Sequence, residues 1–580
     1  MIQAEGPQQN MVQRLARRWM QIPSEQRENQ VFLALTLVIG CLVGLAVVAF
    51  IVLTEGLGMR LYPVGSAPWR RFLIPVAGSL AMGYLLFRYF PNARGSGVPQ
   101  TKAALFARDG FISLRTVLGK FGCTAGTLAC GIPLGREGPS VQVGAGIASV
   151  LGRLVGFRPE KVKALLPVGA SAAIAAAFNT PMAAVVFSLE EVMGDLNAPV
   201  LGSVVLASAM SWVMVRRILG NNPLFHVPQY ELVNPVEFAI YAVLGVAGGF
   251  LSSAFTALLL GMRKRFLLSP KRTWWWHPVT GGLAVGLMGL MVPQVLGVGY
   301  SYVGDALNGN MAVKLMALLV VLKLFAVTVS YASGNAGGIF GPSLFLGAML
   351  GGSVGSVAHH FFPAYTATAG AYALVGMGAL FAGIVRAPMT SVLMIFEMTR
   401  DYSVIVPLMI ANLASLYIAS RFQKEPIYEA LAHQDGIHLP NSKGRSDFAQ
   451  RKVFQLLRAA TDTLPAQMMV REALERAGAS QFHSWPIMDE SRVVGVLSLK
   501  RLESAAADGG AEQQLICLLE TLEFPHVHQD HAVHLALERM SSYHLDILPV
   551  VNRVNVHQLE GVITLHDVLD SYGVDSRGSA

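Results

Sequence analysis

Apolar residues run for long stretches through the first three-quarters of the chain, at about 31–54, 72–90, 199–219, 236–262, 278–296, 313–331 and 404–421. A helix needs about 20 apolar residues to cross a bilayer, and these runs approach or exceed that. Between them lie shorter apolar pieces broken by Gly and Pro, at about 116–133, 139–156, 164–178, 181–193, 339–358, 370–385 and 388–398. Many are too short to cross alone. Non-helical backbone survives at membrane depth only where it is buried in protein or lines a cavity. Broken helices therefore point to a transport site.

The pattern repeats. Glu137-Gly-Pro-Ser-Val-Gln-Val-Gly-Ala145 matches Phe340-Gly-Pro-Ser-Leu-Phe-Leu-Gly-Ala348, and Gly169 to Glu190 parallels Gly376 to Glu397. Each copy sets a Pro-Met pair, Pro181-Met182 or Pro388-Met389, shortly before the Glu. Two copies of one broken-helix pattern predict an inverted repeat with the substrate at its interface. The repeats are placed at about 31–220 and 236–422, within a transport domain of 31–430 that follows an N-terminal segment of 1–30.

Past residue 422 the pattern changes. A polar linker, 431–452, leads to two units read as helix, strand, strand, helix, at 453–508 and 523–576. Val470-Arg-Glu-Ala-Leu-Glu-Arg476 resembles Val533-His-Leu-Ala-Leu-Glu-Arg539, Trp485-Pro-Ile recurs as Leu548-Pro-Val, and Gly495-Val-Leu-Ser-Leu recurs as Gly561-Val-Ile-Thr-Leu. This is an α/β pair outside the membrane.

Composition agrees. Of 580 residues 53% are hydrophobic and 14% charged, against about 25% charged in soluble domains. The net charge of +8 does not argue for nucleic acid, because the basic residues flank apolar runs. Arg14, Arg17, Arg18 and Arg27 precede the first run, and Arg263, Lys264, Arg265, Lys271 and Arg272 share one loop. Such clusters mark cytoplasmic segments. The four cysteines, Cys41, Cys123, Cys130 and Cys517, show no metal-type spacing and read as buried thiols.

The chemistry concentrates in Gly95-Ser-Gly-Val-Pro99, Gly135-Arg-Glu-Gly-Pro139, Gly338-Ile-Phe-Gly-Pro342 and Tyr428. Pro is favoured at the first position of a helix, so each Gly-x-x-x-Pro reads as a loop feeding a helix N-terminus. Free N–H groups and the helix dipole there favour an anion. An anion held by amides rather than by a buried Lys or Arg can also leave, as conduction requires. Glu137 lies among these amides, where an ionised carboxylate competes with the anion and a protonated one does not. Lys120, in an apolar stretch, either raises the local anion concentration or snorkels to an interface.

These stretches, in this order and spacing, resemble the CLC family of chloride channels and transporters across about residues 30–430. The resemblance implies that Ser96 Oγ, Tyr428 OH and the amides of Ile339 and Phe340, with Gly97 in the same loop as Ser96, hold a central anion. It implies that Glu137 is an external gate and that the protein is a homodimer with one pore per subunit. Antiporters of the family carry a second, cytoplasmic-side glutamate, which in Phe187-Ser-Leu-Glu-Glu-Val192 falls on Glu191; channels usually carry Val there. Ser96 matches the members that prefer chloride to nitrate. The C-terminal units resemble CBS domains, many of which hold an adenine nucleotide; Thr564 and Asp567 stand at the matching positions, whereas the first unit has Ser498 but Arg501 in place of the acid.

The sequence thus predicts an all-α polytopic membrane protein with an inverted repeat and broken helices, followed by an α/β CBS pair. The expected function is chloride/proton antiport, with a passive chloride channel as the alternative. The expected setting is a bacterial inner membrane with both termini cytoplasmic. No cofactor or metal is required, an adenine nucleotide at the CBS pair being a candidate ligand only, and neither nucleic-acid binding nor enzymatic activity is expected. A membrane-embedded enzyme would need convergent catalytic groups, yet most histidines fall after Tyr428. A cation transporter would need acidic rings, and only isolated acids appear.

Overall fold

The first helix, α1 (Ser24–Leu61), is apolar around its circumference. Ile39, Val43 and Val47 are buried while Leu42, Leu45 and Val52 are exposed. A helix apolar on all sides belongs in a large core or in lipid. The structure is a computed structural model that describes residues 24–437 and 451–571, apart from 64, 197–198, 221–223, 226, 228–229, 231–232, 460–461, 479, 481 and 520–523. Most of residues 1–30, with Arg14, Arg17 and Arg18, and most of the linker lie outside the described residues. The chain divides into two compact units, 1–439 and 440–580.

The first unit is helical throughout. After α1 come α2 (Arg70–Arg88), α3 (Val98–Ala107), α4 (Leu114–Ala129), α5 (Glu137–Leu154), α6 (Pro159–Phe178), α7 (Pro181–Phe187) and α8 (Leu201–Leu219). The second half holds α9 (Glu237–Leu267), α10 (His277–Met291), α11 (Tyr300–Leu307), α12 (Val313–Ala332), α13 (Phe340–Phe361), α14 (Ala369–Val385), α15 (Pro388–Thr399), α16 (Ile405–Phe422) and α17 (Ile427–Gln434). Among the described residues, seven helical segments are long and apolar enough to cross a membrane. Each apolar run read from the sequence became a helix. The short, more polar α3, α11 and α17 gave no such run, and α17 extends into residues assigned to the linker.

The two halves are locked together by reciprocal contacts. Glu397 at the end of α15 accepts hydrogen bonds from Met182 N (3.0 Å) and Ala183 N (2.7 Å) at the start of α7. Glu190, in the π-helical turn Ser188–Met193 that continues α7, accepts from Met389 N (3.3 Å), Thr390 N (2.8 Å) and Thr390 Oγ1 (2.7 Å) at the start of α15. Each carboxylate satisfies helix N–H groups that lack an intrahelical acceptor. Gly135 and Gly338 form an antiparallel bridge, each N–H donating to the other's carbonyl at 2.7 Å. Contacts in which equivalent residues exchange partners are the mark of a two-fold relation between the halves.

Close packing inside each half repeats as well. A Cβ on Gly144 would lie 2.3 Å from Gly169 O, and one on Gly347 would lie 2.3 Å from Gly376 O. Only a missing side chain lets α5 touch α6, and α13 touch α14, backbone to backbone. Without a hydrophobic drive between helices in lipid, such small-residue contacts supply the packing.

In the second unit, α18 (Val470–Ala477), β2 (Ser484–Asp489), β3 (Arg492–Ser498) and α19 (Leu499–Ala507) match α20 (Val533–Tyr543), β4 (Ile547–Val551), β5 (Leu559–Thr564) and α21 (Leu565–Ser571). A short β1 (Leu464–Pro465) runs parallel to β2. The hairpins β2–β3 and β4–β5 are antiparallel and bulge at the same place, after Ile487 and after Val550. The core assignments cross over. Val453 packs with Val533, Leu548 and Ile563 of the second half, whereas Leu515 packs with Val470, Trp485 and Leu502 of the first. The boundaries at 453 and 508 therefore shift, because each half borrows a segment lying before the other in sequence. Of the cysteines, Cys123 is buried but Cys517 is exposed, which corrects the expectation of four buried thiols.

Replacing Glu397 by Ala leaves the α7 N–H groups without their acceptor. A hydrogen bond to a charged group contributes about 1.5–3 kcal/mol, so Glu397→Ala is expected to lower the melting temperature in detergent, and Glu397→Gln to lower it less. Equal melting temperatures for Glu397→Ala and the parent would show that the cap is dispensable.

Candidate functional site

Three helix N-termini meet in the first unit. Ser96 and Gly97 lead into α3, Glu137 opens α5, and Ile339 and Phe340 are the N-cap and first residue of α13. The approach is close. A Cβ on Gly97 would sit 2.1 Å from Gly138 O, and one on Gly138 would sit 2.5 Å from Ser96 O. Gly97 also has φ +105°, a conformation that side chains resist. Tyr428, near the start of α17, brings its hydroxyl against Ser96.

Ser96 and Tyr428 are fully buried. Ser96 Oγ and the Tyr428 hydroxyl lie against each other, and neither has a further hydrogen-bond partner among the described residues. A buried polar group left unpaired is expensive, so two such donors in one cluster mark a place for an acceptor. The α13 N-terminus adds N–H groups beside them. Phe340 is walled in by Phe178, Phe187 and Phe381, with ring centres 4.9, 5.7 and 4.4 Å away. Hydroxyls, amide ends and an apolar wall suit a small anion better than a cation.

Glu137 is fully buried. One of its carboxylate oxygens accepts from Gly341 N at 3.1 Å, and the other accepts from the Tyr300 hydroxyl. The carboxylate thus sits on the α13 N-terminus. Arg136 is not its partner: that guanidinium bonds Glu55 at 3.1 Å.

Glu191 is buried too, and Lys102 Nζ lies 2.9 Å from it and 3.9 Å from Glu429. Tyr428 lies within Coulombic reach of both Glu191 and Glu137.

A family model described as "Voltage gated chloride channel" matches residues 78–420. The chain belongs to the CLC family. A second model, for the CBS domain, matches residues 520–573. The H(+)/Cl(-) exchange transporter ClcA of Vibrio campbellii is 32% identical over 62% of this chain and 79% of its own length. A putative chloride channel protein ClcB-like of Ralstonia nicotianae is 34% identical over 64% of this chain and 88% of its own. Among solved structures, a slow cyanobacterial Cl-/H+ antiporter aligns with TM-score 0.65 and 26% identity, covering 70% of this chain and 97% of that one. A eukaryotic CLC transporter aligns with TM-score 0.62 at 18% identity over 92% of this chain and 97% of that one, a likeness of fold.

Sequence reasoning missed several residues of this CLC site. Lys102 carried no signal beyond its charge, and Tyr300 none at all. Lys120 does not snorkel. It is fully buried and donates to Ala93 O (3.1 Å) and Gly95 O (2.5 Å), fixing the loop that presents Ser96. Its equivalent in the other repeat, Lys323, donates in the same way to Val295 O (3.0 Å) and Gly297 O (2.7 Å) before α11. In the second unit, Thr564 Oγ1 donates to Asp567 at 2.6 Å, and Arg458 pairs with the other oxygen of that carboxylate. The two residues are in contact, and the acid already has protein donors.

Lys102 holds two buried carboxylates. Removing one partner of a buried ion pair destabilises by about 3–5 kcal/mol. Lys102→Met is therefore expected to lower the melting temperature sharply, and adding Glu429→Gln or Glu191→Gln to restore part of it. Additive losses would show that the three groups are not coupled.

Proposed function

We propose that this CLC protein exchanges chloride for protons, with Glu137 as the gate and Glu191 as the internal proton relay. The observation that carries this reading is the Glu137 carboxylate on the α13 N-terminus, accepting the Gly341 N–H. An ionised carboxylate there takes the donors an anion would use. Protonation removes its charge and releases it. Chloride and proton then use one place in alternation, which is what couples their movement. Glu191 supplies a second buried carboxylate on another element. Ser96 Oγ, the Tyr428 hydroxyl and the N–H groups of Ile339 and Phe340 would hold the anion between them, whereas the Gly97 N–H, expected to join them, already donates to Gln100 Oε1 at 2.8 Å.

A passive chloride channel is the alternative, in which Glu191, 2.9 Å from Lys102 Nζ, serves only as one side of a structural ion pair. Relatives of both descriptions support transport of the same anion: the Vibrio proteins are described as exchangers and the Ralstonia protein as a putative channel.

Reconstituted protein under a chloride gradient separates the readings. Antiport predicts proton uptake driven by chloride efflux and a reversal potential that moves with the pH gradient. Glu137→Ala is expected to lose proton movement and the pH dependence of chloride flux, and Glu191→Gln to lose proton movement while chloride still passes. A reversal potential fixed at the chloride equilibrium value would establish the channel instead.

We also propose a homodimer in a bacterial inner membrane with both termini cytoplasmic, and one adenine nucleotide at Thr564 and Asp567. A nucleotide ribose would have to displace Arg458 from Asp567, so Arg458→Ala should tighten binding of AMP or ATP in a calorimetric titration. No heat from either protein at millimolar nucleotide would leave the CBS pair a structural role.

A further inference from the structure

Tyr300 opens α11, immediately after Gly299, and nothing in the sequence marked it. Its hydroxyl donates to Glu137, on the carboxylate oxygen opposite the one that accepts Gly341 N–H. The carboxylate is thus gripped from two sides by two different elements. The ring itself is fixed: the Arg136 guanidinium lies over it, 5.6 Å from its centre, and Phe225 meets it edge-on at 6.0 Å. The space around the grip is kept by glycines. A Cβ on Gly135 would lie 2.3 Å from the Glu137 carboxylate, and one on Gly341 would lie 3.0 Å from both that carboxylate and the Tyr300 hydroxyl.

We propose that Tyr300 is the positioning residue that holds the ionised Glu137 carboxylate in the anion path and sets the pH at which it lets go. This rests on reading Glu137 as the gate. A phenol donates more strongly to a carboxylate than to the neutral acid, so the bond favours the ionised, in-path form. Protonation weakens the grip at the moment the gate must open. The charged and titratable groups around the pair are Arg136 on the same loop, Glu55 from α1, Tyr428 from α17, and Lys323 from α12 behind Gly299. Arg136 and Glu55 neutralise each other, which leaves the Tyr300 hydroxyl as the side-chain donor on the carboxylate among the described residues.

The test is chloride efflux from liposomes, measured against pH, for the parent, Tyr300→Phe, Glu137→Gln and the double variant. Tyr300→Phe is expected to move the pH profile toward alkaline values by about one to two units, the size of one charge-assisted hydrogen bond, and to raise flux above neutral pH. In the Glu137→Gln background the same substitution is expected to change nothing, because no carboxylate remains to be gripped. A Tyr300→Phe profile superimposed on the parent, with Glu137→Gln flat in pH, overturns the role of Tyr300 and leaves the gate reading standing. A uniform loss of flux at every pH and in both backgrounds shows a structural role and also overturns it. A Glu137→Gln protein that keeps the parental pH profile sinks the gate reading and this proposal together. Fluorinated tyrosine at position 300, a stronger donor, supplies an opposite check: it is expected to shift the profile toward acid, and an alkaline shift would refute the grip.

Discussion

Helix ends buried away from water must find partners for their free N–H groups, and most of the first unit follows from how this protein meets that requirement. At the start of α7 the partner is Glu397, and at the start of α15 it is Glu190. At α13 it is Glu137. The first two carboxylates cap each other's elements and lock the halves. Glu137 is different in kind. It caps an end beside Ser96 Oγ and the Tyr428 hydroxyl, which have no partner but each other among the described residues. The proposed gate follows from this setting: a carboxylate cap beside donors that an anion could use.

The two-fold relation makes the scaffold, and its departures make the site. Glycine contacts, the Gly135–Gly338 bridge, the reciprocal carboxylate caps and the lysines Lys120 and Lys323 all occur in matched pairs. Glu137 has no such match: the aligned residue in the second copy is Phe340. Glu137 reaches across the two-fold to Gly341, the equivalent of its own neighbour Gly138, while Phe340 packs into an aromatic wall. One position thus carries a carboxylate in one repeat and a packed aromatic ring in the other. Lys102, Glu191 and Glu429 form a second departure, joining α3, the π-helical turn and α17 by charge.

The sequence by itself determined the class of fold and the chemistry at stake. Long apolar runs fixed the spanning helices, Gly and Pro marked their breaks, and two copies of one pattern announced the repeat. Those signals are local, because periodicity and turn residues act within a few positions of themselves. They also singled out Ser96, Glu137, Ile339, Phe340 and Tyr428, since each lies in or beside a Gly/Pro-marked loop or a family motif. Only the tertiary structure decided the partners. Tyr300 meets Glu137 across 163 positions, Lys102 meets Glu191 across 89, and Glu397 meets Ala183 across 214. No local pattern encodes such pairings. They exist because the inverted arrangement brings helix ends from distant segments to one place, and there the low-dielectric interior forces each buried charge and N–H group to settle on whichever partner the fold has put within reach.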